Sequence, residues 1–195
     1  MARSGNGRAV ALKLPRTIRL DPSDGFVFAR AAEPGEWAVT GTFLFYGSDP
    51  ASFAGKERQA FRAGFLGIES FGWSTLVTVA EASDDERQEA VEALAGQLVR
   101  HAGAPDVAAA RAAAEEEIGF AASLCDHEPG TLLGLTRRVE ADGIRETFRT
   151  LHRRAERIDP IRAFQIVEVD EEAPAEEIDL TGLGRGGLPE RGGRP

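Results

Sequence analysis

The chain has 195 residues, a net charge of −9 and 42% hydrophobic residues, the size and apolar content of one folded domain with tails. No apolar run approaches the ~20 residues of a membrane-spanning helix, and the opening MARSGNGRAV is too polar for a secretory leader, so a cytoplasmic protein without a membrane partner is expected. One cysteine against three histidines excludes an internal disulfide and a thiolate-rich zinc or iron–sulfur site, and the acidic balance argues against nucleic acid as a partner.

Residues 1–12 carry no period or turn signal and are expected to form a disordered arm. Thr17–Leu20 and Phe26–Arg30 read as strands of a hairpin turned at Asp21–Gly25. Trp37–Tyr46 alternates with Trp37, Phe43 and Phe45 on one side, which predicts a long strand with an aromatic face. Gly55–Gly64 suits a short helix, and Trp73–Ala82, rich in Val and Thr, a second long strand.

Ser83 and Glu86 form a capping box that predicts a helix start, and Val91, Leu94, Ala95 and Leu98 follow at helical spacing before Gly103 and Pro105 stop the run. A second helix begins near Pro105 with a stripe of Val107, Ala110, Ala114, Ile118, Ala121 and Cys125. The short connection predicts an antiparallel helical hairpin. Beyond Pro129-Gly130 the period returns to two. Leu133, Leu135 and Val139 face one way, Asp142-Gly143 turns the chain, and Ile144–Leu151 returns with Arg145 and Arg149 on the face of Arg138.

Phe164, Ile166 and Val167 suggest a last strand, closing a folded unit of about residues 13–170. Residues 171–195 read as a disordered tail, acidic and then Gly/Arg-rich. The irregular order of strands and helices predicts an α+β fold, mainly antiparallel sheet, with the two-helix hairpin packed on one face.

Two places could carry chemistry. Cys125, Asp126 and His127 place a thiol, a carboxylate and an imidazole within three residues, the material of a metal site or a thiol nucleophile with a base. The competing reading is a buried structural cysteine at a helix end, where the macrodipole disfavours a thiolate. Glu69, Phe71 and Trp73 lie among three glycines and could line a ligand pocket; the alternative is a turn whose aromatics fill the core. The glycine-rich stretch matches neither phosphate-binding glycine pattern. Glu115, Glu116 and Glu117 point in different directions around a helix and read as a solvated face.

The stretches LPRTIRLDPSDGFVFARAAEPGEWAV, AFRAGFLGIESFGWSTLV and EEEIGFAASLCDHEPGTLLGL resemble an uncharacterised family of small bacterial proteins, a domain of unknown function, over about residues 13–155. The resemblance implies a bacterial cytoplasmic setting and an accessory role, and assigns no catalytic residue. The expectation from the residues is a non-catalytic binding or assembly module, a homo-oligomer acting through protein contacts, with no cofactor and no bound metal. The alternative is a small ligand-binding protein or enzyme using Glu69 and Trp73, or Cys125 and His127.

Overall fold

Residues 11–20, 23–141 and 143–151 are described by a computed structural model of the chain. Residues 1–10 of the arm expected over 1–12, Asp142, His152, the strand expected at 164–167 and the tail lie outside these residues, whereas the Leu12 carbonyl accepts from the Ala82 N–H.

The fold is α+β with antiparallel sheets. One sheet contains β1 (Lys13–Thr17), β5 (Leu76–Glu81), β6 (Leu132–Glu140) and β7 (Gly143–Leu151), in the order β1-β5-β6-β7. A smaller sheet holds β2 (Ala38–Val39), β3 (Phe65–Gly67) and β4 (Trp73–Ser74). An isolated bridge between Arg16 and Trp37 links β1 to the start of the smaller sheet.

The long helices follow their local signals. Ser83 caps α3 (Asp84–His101): its hydroxyl accepts from the Glu86 N–H, and the Glu86 carboxylate accepts from the Ser83 N–H. Asp106 caps α4 (Val107–Ser123) by accepting from the Ala109 N–H. Val91, Leu94, Ala95 and Leu98 of α3 meet Ala110, Ala114, Ile118 and Ala121 of α4 in one buried cluster with Leu14, Val39 and Leu66. Val107 instead stands 62% exposed, because the α4 stripe turns inward only from Ala110.

Three expected elements differ. Thr17–Leu20 and Phe26–Arg30 do not pair: β1 lies earlier and pairs with β5, Lys13 opposite Glu81, while Asp24–Val27 winds into a four-residue helix, α1. The strand expected over Trp37–Tyr46 ends after Val39. Gly41 takes φ 74°, a left-handed conformation open to glycine, and a Cβ there would lie 2.6 Å from the Leu66 Cβ. The chain then coils through a 3-10 turn at Thr42–Phe45, which delivers Phe45 to a cluster with Phe53, Phe61 and Trp73. Trp73–Ala82 is broken at Thr75, because Trp73–Ser74 pairs with β3 and Leu76–Glu81 with β1 and β6.

The β6–β7 hairpin follows its alternation. Glu140 opposes Gly143, Arg138 opposes Arg145 and Thr136 opposes Thr147, which puts these arginines on one exposed face. On the other face Leu133 and Leu135 are buried with Val77, Val79 and Cys125. The helix expected at Gly55–Gly64 is α2 (Gly55–Ala63), which buries Ala60 and Phe61.

Candidate functional site

Cys125 ends its helical stripe 1% exposed among Val77, Val79, Leu133 and Leu135. Burial pushes its thiol up to about 12, against a weaker opposing pull from Lys13, so the thiol is protonated at neutral pH and a poor nucleophile. Asp126 and His127 are exposed, and the His127 carbonyl accepts from Lys13 Nζ at 2.6 Å. No group of three or more His, Cys, Asp or Glu side chains among the described residues could hold a metal ion. Replacing Cys125 by Ala is expected to cost about 1–2 kcal/mol, the loss of a small buried group, read as a shifted urea midpoint.

The glycine-rich stretch is a pinned loop. Glu69 is exposed, whereas Trp73 packs against Phe45 with ring centroids 5.3 Å apart. Phe71 has φ 53°, an uncommon backbone for a non-glycine residue, and stacks on His101 at 5.1 Å. Phe71 and Trp73 both pack against the buried cluster of α3 and α4, while Glu69 stands exposed.

The loop is held by Glu36, which sequence reasoning missed. Its carboxylate is 6% exposed and accepts from the N–H groups of Glu33 at 2.7 Å, Glu69 at 2.7 Å and Ser70 at 2.8 Å, and from the Ser70 hydroxyl at 2.5 Å. From the other side Gln97 Nε2 donates to the Ile68 and Glu69 carbonyls at 3.1 and 2.7 Å. Gly67 leaves room for this arrangement, since a Cβ there would meet the Glu36 carboxylate at 2.5 Å.

A second missed group is Arg137, which alternates onto the inner face of β6 and is 1% exposed. Its Nε donates to Thr42 Oγ1 at 2.6 Å and to Glu146 Oε1 at 3.1 Å. Nη1 donates to the carbonyls of Ala60, Phe61 and Gly64 at 3.3, 3.0 and 3.0 Å, and Nη2 to that of Thr40. The guanidinium thus ties the end of α2 and the turn at Thr40–Thr42 to the β6–β7 hairpin. Burial lowers its pKa to about 10 against the opposing pull of Glu146, which leaves it charged at neutral pH.

Glu117 of α4 belongs electrostatically to this cluster rather than to the solvated face expected for it. It is half-buried, and burial first, then the nearby Glu146 charge, raise its pKa to about 7 despite Arg137. A carboxyl whose folded pKa exceeds its unfolded value makes the native state bind more protons between the two pKa values, so its stabilising contribution falls as pH rises from about 4.5 to 7. Urea midpoints are expected to decline over that window more steeply in the wild type than in Glu117→Gln.

One described pocket, of about 120 Å³, has no predicted site residue in its lining. Ile18, Leu20, Ser23, Asp24, Thr75 and Leu76 line it.

These features define an α+β fold whose buried Glu36 and Arg137 secure loops to its sheets. Residues 12–168 match the model of a family of unknown function, DUF6505, and the chain belongs to that family. No curated protein and no solved structure matches it. No described helix is long and apolar enough to cross a membrane.

Proposed function

We propose that the chain is a non-catalytic binding or assembly module, a bacterial cytoplasmic accessory factor that forms a homo-oligomer along the edge of β7. The observation that carries this reading is the outer edge of β7, which has no neighbouring strand among the described residues over nine positions. The two-residue connection makes Glu140 and Gly143 a hydrogen-bonded pair, so by alternation Ile144, Glu146, Phe148 and Thr150 turn their N–H and C=O groups away from β6. Such an edge recruits another strand.

The same hairpin exposes Arg138, Arg145 and Val139, the last at 56%. Arg145 pairs with Glu140 at 3.1 Å, but an exposed pair of this kind is worth little and gives way to a better partner. The acidic run from Glu168 to Asp179 of a second copy supplies opposite charge. The burial of Cys125, Glu36 and Arg137 supports the non-catalytic part of the reading.

Sedimentation velocity of the full chain tests the proposal. Concentration-dependent dimerisation is expected, weakened by salt and by Arg138→Glu with Arg145→Glu. Thr150→Pro removes an N–H that β6 does not use and is expected to leave a folded monomer. A wild type that stays monomeric at every concentration would refute the reading.

A further inference from the structure

The pocket beside α1 holds a buried carboxylate with no ion-pair partner among the described residues. Asp24 is 7% exposed, yet among the described residues no ion pair reaches it. Its Oδ1 accepts from Thr75 Oγ1 at 2.6 Å. Among the described residues its Oδ2 has Ser74 Oγ for a partner, at 3.5 Å, and that hydroxyl has one proton and nearer acceptors in the Leu76 carbonyl at 2.7 Å and the Ile18 carbonyl at 3.1 Å. Once the proton goes to Leu76, both Oδ2 and the Ile18 oxygen are left without a side-chain donor among the described residues.

Glu36 provides the internal comparison, since four donors satisfy that equally buried carboxylate within 2.8 Å. A buried carboxylate left with one good hydrogen bond is costly, and a cation that brings its own donors removes the cost. The walls state which cation. Ile18, Leu20 and Leu76 are apolar and stand beside the polar Ser23, Asp24 and Thr75, and about 120 Å³ holds roughly four waters or a short alkyl chain with a charged head.

We propose that this pocket binds a primary alkylammonium group, its N–H donors directed to Asp24 Oδ2 and the Ile18 carbonyl and its methylenes against Ile18, Leu20 and Leu76. A free amine and a lysine side chain share this chemistry. The site is separate from the β7 edge, and its test does not depend on association.

The full chain is titrated with n-butylammonium chloride at constant ionic strength and followed by the amide shifts of Thr75 and Leu76, with potassium and tetramethylammonium chlorides in parallel. Saturable shifts at least about tenfold tighter for butylammonium are expected, because potassium has no apolar body and tetramethylammonium no N–H donor. Asp24→Asn keeps the acceptor for Thr75 and is expected to abolish saturation. If Asp24→Asn does not fold, Leu20→Lys, at a position 71% exposed, places a competing ammonium at the mouth and is expected to weaken binding at least about fivefold. N-acetyl-lysine methylamide binding tighter than butylammonium assigns the site to a partner's lysine, and weaker binding assigns it to a free amine. Linear shifts, equal shifts with potassium, saturation that persists in a folded Asp24→Asn protein, or unchanged affinity in Leu20→Lys would overturn the proposal.

Discussion

Arg137→Met is expected to destabilise the protein by about 3–5 kcal/mol, the cost of removing one partner from a buried charged network. The packing loss is small, because methionine fills much of the arginine stem. The larger part comes from what stays behind: the carbonyls of Thr40, Ala60, Phe61 and Gly64 lose a shared donor, and the Glu146 carboxylate loses its cation while keeping the Thr42 hydroxyl. Replacing Glu146 by Leu in the same chain should recover part of the loss, since an uncompensated charge is then no longer buried. Arg137→Lys should fail to rescue, because three donors on one nitrogen cannot span acceptors that the guanidinium reaches from three. Urea unfolding reads all three variants, and a loss below about 1 kcal/mol for Arg137→Met would mean the network contributes little net stability.

The second large effect is expected at Glu36. Glu36→Gln changes one oxygen into an NH2 group that must face N–H donors, whichever way the amide turns. A cost of about 2–3 kcal/mol is expected, together with faster hydrogen exchange at the Glu69 and Ser70 amides. The consequence extends to Phe71, whose left-handed backbone is tolerated because Glu36 on one side and Gln97 on the other fix its neighbours. Stacking of Phe71 on His101 should loosen with it, read from the aromatic signals of both rings. Unchanged exchange at Glu69 and Ser70 would show that the clamp is not what orders the loop.

Elements written in neighbouring residues were legible from the chain alone. The capping box at Ser83, the α3 stripe and the β6–β7 alternation each depend on contacts within a few residues or across one turn, and each is present. Trp37–Tyr46 misled because aromatic alternation mimics a strand, while Gly41 and its approach to Leu66 decide the outcome from a distant part of the chain. The buried charges were hidden for a related reason. Arg137 shares the period-two face of Leu133 and Leu135, so its inward direction was readable, but its carbonyl acceptors lie 73 to 97 residues away at Thr40, Ala60, Phe61 and Gly64. Glu36 serves amides 33 and 34 residues downstream, and nothing near it in sequence marks it. The thiol was better placed, since its stripe position already indicated burial, and the same stripe separates it from the exposed His127.

Amide hydrogen exchange along β7, followed as a function of protein concentration, bears most directly on the assembly role. The amides of Ile144, Phe148 and Thr150, which face away from β6, should exchange slowly in concentrated protein and quickly on dilution, while their neighbours paired to β6 stay protected throughout. Equal exchange at these outward amides across the whole concentration range would contradict self-association through this strand.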